Sequence, residues 1–305
     1  MNFRVRSLWV IVLLAGLLSC QQRSTVPVPT DTPEQGSIWI SADESFRPVV
    51  EELVQVYQSI HPQTHIQVQY KPEADCFQDL LVDSIRMVIV ARRPSPAEKK
   101  WLTDSIGGLN KSRAVARDGV AVIAHPSQKK LVWTKNELRE LLSGKINNTL
   151  IPVVDGLKAT STVRFLIDTL LKGEPPSPQL MAARTSQAVI EYVADHPNVI
   201  GFVGVSWIGN REDSLQRIWQ PRVKMLQVVN DQFPTYHFLP DQFNIHTQMY
   251  PLTRDIIYLL REKQEGLGTG LARFMESEGG QLIFKRAYLA PLLKDFDFRP
   301  VQLRE

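Results

Sequence analysis

Residues 117–145 read RDGVAVIAHPSQKKLVWTKNELRELLSGK, and the punctuation of this run sets out an architecture. Val120 to Ala124 is a short apolar run of the kind a buried strand requires. His125-Pro126-Ser127 stops it, because proline has no ladder donor and restricts the residue before it. Thr134 then stands as an N-cap with Glu137 three positions on, which is a capping box. Leu138, Leu141 and Leu142 fall on one helical face, and Gly144 is placed to end the helix. Strand, break, capped helix and glycine stop thus follow one another within this run.

The preceding segment repeats the theme. Ile38-Trp39-Ile40 predicts a strand, Val49, Val50, Leu53, Val54 and Tyr57 predict a helix closed by His61-Pro62, and Ile66 to Tyr70 alternates as a second strand. Strand, helix and strand make a βαβ unit, which implies parallel pairing with a right-handed crossover. Ligands of open α/β sheets lie beyond the carboxyl ends of the strands, so Ser41, Asp43, Glu44 and Ser45 stand where a ligand would. Their hydroxyls and the first-turn amides suit an oxyanion; equally, one of them serves as the helix cap. Downstream, a helix is expected over Asp75–Asp83, a buried strand over Met87–Val90, and another helix from Ala97. Arg92, at the strand's carboxyl end, is either a bidentate oxyanion donor or a surface ion-pair partner.

Ile151 to Val154 predicts a strand ending at Asp155-Gly156, and Lys158 to Phe165 leads into an amphipathic helix through Leu171. Ser161 and Thr162 supply hydroxyls at that helix start, and Arg164 adds a positive charge two residues in. A helix over Ser186–Asp195 ends at His196-Pro197; Asn198 to Trp207 continues as a strand, with Trp207 either flooring a cleft or packed in the core. Met225 to Val229 is a further strand, and Leu271 to Ser277 a late helix.

The N-terminus has its own signature. Arg4 and Arg6 precede an apolar run, Leu8 to Leu18, too short to span a bilayer comfortably, and Leu17-Leu18-Ser19-Cys20 resembles a bacterial lipobox. The expectation is a leader over 1–19, acylation of Cys20, and a proline- and threonine-rich tether over 20–36. The formal charge of +3 includes Arg4 and Arg6, and residues 1–19 hold no acid, so the remainder carries two fewer, +1. That balance makes no electrostatic case for nucleic acid. With Cys20 acylated, Cys76 is left without a disulfide partner. No H-E-x-x-H, paired C-x-x-C, G-x-x-x-x-G-K-[ST] or G-x-S-x-G is present, so neither zinc, nucleotide hydrolysis nor triad chemistry has support, and no cofactor or metal is expected.

Several of these stretches resemble the phosphate-binding, periplasmic solute-binding type II lipoproteins of ABC transporters. Asp118, Gly119, Val120, Ala121 and Val122 match that family's "A-x-DG-I/V-A-V-I" strand, and Thr134, Leu138, Leu142, Gly144 and Lys145 match its "T-x-x-x-L-x-x-I-F-x-GK-I" helix. Tyr250-Pro251-Leu252-Thr253-Arg254 is similar to its "YPL-x-R" return, and Ile200-Gly201-Phe202 to its "A-I-G-Y" strand. The chain departs from the family in two places. Arg86 stands for the acid of "D-I-A-M-S-S-R", and Ser161-Thr162 preserve the hydroxyls of "R-x-x-G-S-G-T" without its glycines, with Asp155 near the arginine position.

The resemblance implies an α/β, two-lobed fold with two mixed sheets flanked by helices and a two-strand hinge. Lobe 1 would take 37–122 and 251–305, and lobe 2 would take 123–250. It implies a non-enzymatic, monomeric binding lipoprotein on the periplasmic or cell-surface side, holding a small oxyanion, phosphate favoured, for an ABC permease. The ligand residues it implies are Ser41, Asp43, Glu44, Ser45, Arg92, Ser161, Thr162 and Arg164. The alternatives are another small ligand, or a signalling or assembly role on the same scaffold.

Overall fold

The computed structural model describes residues 31–146, 149–156 and 160–294. The leader, Cys20, the first part of the tether, and Lys158 and Ala159 before the second helix start therefore lie outside the described residues. Among the described residues no helix is long and apolar enough to cross a membrane.

The βαβ unit is present with wider bounds than the sequence suggests. β1 (Gln35–Asp43) runs parallel to β2 (Gln63–Lys71) in unbroken register from Gln35 opposite Gln63 to Asp43 opposite Lys71. Between them lies α1 (Arg47–Ile60), whose Val49, Val50, Leu53, Val54 and Tyr57 face inward. Next come α2 (Glu73–Asp79), β3 (Ile85–Val90) and α3 (Pro96–Ile106). Alternation in β3 feeds two layers: Met87 and Ile89 join the core under α1, while Val88 and Val90 pack with Phe77, Leu80 and Leu102 of the opposite face.

The apolar run Val120–Ala124 is the second half of a longer strand, β4 (Lys111–Ala124). Up to Gly119 it pairs antiparallel with β12 (Thr253–Leu260); from Val120 it pairs antiparallel with β8 (Val199–Gly204). The strand thus belongs to both halves of the molecule. Arg113 and Arg117 in its first half hid it from a reading based on apolar content.

After β4 come β5 (Val132–Trp133), α4 (Lys135–Ser143), β6 (Ile151–Asp155), α5 (Ser161–Leu166), β7 (Met181–Ala183) and α6 (Ser186–Asp195). The expected capping box forms in full at α4: Thr134 Oγ1 accepts from the Glu137 amide, the Glu137 carboxylate accepts from the Thr134 amide, and Gly144 closes the helix in the left-handed region at φ 72°. Leu138, Leu141 and Leu142 are buried against Val120, Val122, Ile200 and Phe202, each side chain contributing roughly 1.5–3 kcal/mol of burial free energy. Ala121, Ile123, Val153 and Val203 on the other face pack against Val189, Ile190 and Val193 of α6.

The remaining elements are α7 (Ser214–Trp219), β9 (Lys224–Met225), β10 (Gln227–Asn230), β11 (Phe233–Phe238), α8 (Gln242–His246), α9 (Leu267–Glu276), α10 (Glu278–Arg286) and β13 (Ala290–Pro291). One curled mixed sheet follows the order β2-β1-β3-β12-β4-β8-β6-β7, and a small sheet runs β11-β10-β5. The two expected sheets are thus the two ends of one strand order, continuous through β4.

Residues 31–36, expected as the end of a tether, are held at two points, with Thr32, Glu34 and Gln35 exposed. Asp31 is buried and accepts from the Leu267 amide at 2.6 Å, and the Pro33 carbonyl accepts from the Tyr57 hydroxyl. Asp31 thereby caps α9, a charge effect that a proline-rich composition does not reveal.

Candidate functional site

β1 and β6 both end in an aspartate, Asp43 and Asp155, and a helix starts after each; the two strand ends face one another across the junction of the halves. The Asp43 carboxylate accepts from the Ser45 amide at 2.8 Å within its own half. From the other half it accepts from the Ser161 amide and the Ser161 hydroxyl, both at 2.9 Å. The Ser45 hydroxyl donates to Asp155 at 3.1 Å and lies 3.0 Å from the Thr162 hydroxyl. Asp155 also accepts from Ser186 at 2.7 Å and Thr160 at 2.9 Å. The Trp207 indole N–H donates to the Ser45 carbonyl at 2.9 Å, so this side chain holds the first helix start as well as packing in the core.

A guanidinium enters from the return strand. Arg254 on β12 donates from Nη1 to the Ser161 hydroxyl at 2.9 Å and to the Thr162 hydroxyl at 3.1 Å. Its Nε donates to Asp118 at 2.9 Å, directly across the β4–β12 pairing. Nη2 is also 2.9 Å from Asp118 but lacks hydrogen-bond geometry, which leaves it the one unsatisfied donor of the group. Gly204 permits this closeness: a Cβ there would stand 3.1 Å from the Asp118 carboxylate and 3.3 Å from Arg254 Nη2.

Asp43, Ser45, Asp118, Asp155, Ser161 and Thr162 are fully buried. Three carboxylates share this volume with one guanidinium. Burial raises the Asp155 carboxyl above its ordinary range, and Asp43 adds to the rise, against the Ser186 and Thr160 hydrogen bonds and Arg254. Burial likewise raises Asp118, opposed chiefly by Arg254.

Of the residues singled out in the sequence, the structure brings together Asp43, Ser45, Ser161 and Thr162. Ser41 instead donates to Asp79, which also holds Lys71. Glu44 turns to Arg47 at 2.7 Å. Arg92 makes a two-pronged pair with Glu98, at 2.6 and 2.8 Å, which holds the Glu98 carboxyl down at about 2. Arg164 pairs with Glu73 and with Asp168. Neither arginine reaches the buried cluster.

Arg254, Asp118, Asp155, Thr160 and Ser186 complete the cluster without having been picked out as site residues. A signal for the first pair existed: each strand, TRDIIYLL and ARDGVAVIA, carries charges within an apolar run, and buried charges must pair. Ser186 had only its place at a helix start to mark it.

Three solved structures are similar in fold. A phosphate ABC transporter substrate-binding protein with bound phosphate from Clostridium perfringens shares 19% identity at a TM-score of 0.71, over 84% of this chain and 100% of that one. An ABC-type phosphate transport receptor from Vibrio cholerae shares 16% at 0.64, over 83% and 99%. The OxyR2 regulatory domain from Vibrio vulnificus shares 15% at 0.53, over 79% and 97%. No curated protein matches the chain by sequence. Residues 27–278 match the family described as PBP superfamily domain, a span that takes in every strand and helix start of the buried cluster. The chain belongs to the PBP superfamily domain family.

Proposed function

We propose that this chain is an extracytoplasmic solute-binding protein that captures a small oxyanion, phosphate favoured, between its halves and delivers it to an ABC permease. Acylated Cys20 would tether it, as a monomer, to a bacterial membrane. The observation that carries the reading is the convergence of buried donors from both halves: the Ser45 hydroxyl from one, the Ser161 amide and the Ser161 and Thr162 hydroxyls from the other, with the Arg254 guanidinium between them. Two of the similar folds are described as phosphate carriers, which supports the choice of ion.

A guest contacting both halves favours the closed arrangement by its differential contacts. Asp43 fixes the chemistry of that guest. Its carboxylate now accepts the donors at the start of α5, so an anion entering there must bring a proton for Asp43 to accept or displace it. Protonated phosphate carries such a donor and sulfate does not.

A second reading rests on a specific observation: Asp43–Ser161 and Ser45–Thr162 bond directly across the junction. On this reading the scaffold is a permanently closed signalling or assembly module. Calorimetric titration of the purified protein with phosphate and sulfate separates the two. Saturable phosphate binding with weaker sulfate binding supports capture; equal affinity removes the phosphate assignment, and no heat with either favours the closed module.

A further inference from the structure

Away from the junction, the second half carries a small cavity of about 180 Å³ between α4 and the end of α5, lined by Lys135, Asn136, Arg139, Thr169, Leu170, Lys172 and Asp231. Three features set it apart from an ordinary surface dent. The first is charge: three cationic side chains line it against one carboxylate. Lys135 pairs with Asp231 at 2.5 Å, and Arg139 donates to the neutral Asn136 side chain at 2.7 Å. Glu140 accepts from Asn136, and the neighbouring Glu174 is paired with Lys145. Lys172 is exposed, and no hydrogen bond or ion pair holds its side chain among the described residues.

The second feature is the backbone beneath it. α5 does not end regularly: residues Ile167–Leu171 widen into a π-helix, a form concentrated at functional sites, and this turn presents Thr169 and Leu170 to the cavity. The third is Lys172 itself. It closes the π-turn in the left-handed region at φ 52°, although Gly173 stands next to it at φ 89°. A side chain in that conformation costs of order 1–2 kcal/mol relative to glycine, although a left-handed residue commonly ends a helix, and here it sets a lysine on the cavity wall. Lys172 thus combines a left-handed backbone with a cation that has no partner among the described residues.

We propose that this cavity is a second anion site, one that holds a dianionic phosphoryl group between Lys135, Arg139 and Lys172, with the Thr169 hydroxyl as a neutral donor. The same chemistry fits free inorganic phosphate and a phosphomonoester on a larger molecule such as a lipid headgroup. The site does not depend on the junction cluster, since no residue is common to both.

The test is a backbone-resolved NMR titration of the isotope-labelled protein with inorganic phosphate, with glycerol 3-phosphate, and with vesicles containing phosphatidic acid. The expected result is saturable shifts at the amides of Lys135–Arg139 and Thr169–Gly173. Those at Ser45 and Ser161 report the junction separately, so the two sites stand or fall independently. Saturation by inorganic phosphate assigns the free ion, and saturation by glycerol 3-phosphate or vesicles alone assigns the monoester. Lys172→Gly relieves the backbone, so it folds with unchanged or raised Tm, and it should weaken the cavity titration by about tenfold or more. Lys172→Arg should retain it. Absence of shifts around the cavity with all three probes, or equal binding by Lys172→Gly, overturns the assignment.

Discussion

Two groups of charges join the halves of this protein, and they are built on opposite plans. At the rim, two arginines surround one buried carboxylate: Glu73 is paired with Arg164 from the other half, has Arg92 at 3.8 Å, and accepts the Ala91 amide at 2.8 Å. In the interior the ratio is reversed, with Asp43, Asp118 and Asp155 around Arg254 alone and hydroxyls filling the remaining places. The rim keeps its cations partly in water, where ion pairs contribute little. The interior excludes water, so each of its charges depends on the geometry of its neighbours. The arginines most visible in the sequence thus serve the rim, and the buried junction is left to hydroxyls, amides and one arginine from the return strand.

Substitutions can break this contrast. The largest effect belongs to Arg254→Ala, which strands Asp118 without a counter-charge in a dry site. Urea denaturation should show a loss of about 3–5 kcal/mol. Asp43→Asn keeps the shape but removes the charged acceptor of the Ser161 and Ser45 amides. It should cost about 1.5–3 kcal/mol and erase any preference for phosphate over sulfate in a calorimetric comparison.

Asp155 makes the interior sensitive to pH. Because burial raises it, its contribution to stability is fully present below the ordinary aspartate value of about 3.9 and is lost as pH rises through its folded value. The protonated form also removes a negative charge from beside the proposed seat. Phosphate should therefore bind Asp155→Asn more tightly than the wild type by about tenfold at neutral pH, and the two proteins should converge at low pH. Isothermal titrations across a pH series read this difference directly. The smallest effect is expected at the rim: Glu73→Gln should cost only about 1 kcal/mol in denaturant unfolding, because both arginines reach water, Asp168 or Glu98 instead.

Much of the scaffold was legible from punctuation and period. The capping box at Thr134 and Glu137, the glycine stop at Gly144 and the βαβ unit all form, because each depends on contacts within a few residues or on a single buried face. The two facing helix starts were also legible, since strand ends and following caps place them. What escaped was long-range. Arg254 and Asp118 lie far apart in the chain and meet only through the β4–β12 register, and Asp155 looked like a departure from an arginine-bearing pattern until its hydroxyl partners were in view. Arg92 and Arg164 had suitable positions, but Glu98 and Glu73, each on another element, draw them outward.

The buried junction is either an anion seat, as proposed, or a permanent weld. A crystal structure of the protein grown in phosphate tests this most directly. An anion seat requires tetrahedral density bounded by Asp43, Ser45, Ser161, Thr162 and Arg254, with the Ser161 amide donating to the ion in place of Asp43 or shared between them. An unchanged junction, with the Asp43–Ser161 bonds intact and no ion between the halves at saturating phosphate, would contradict it.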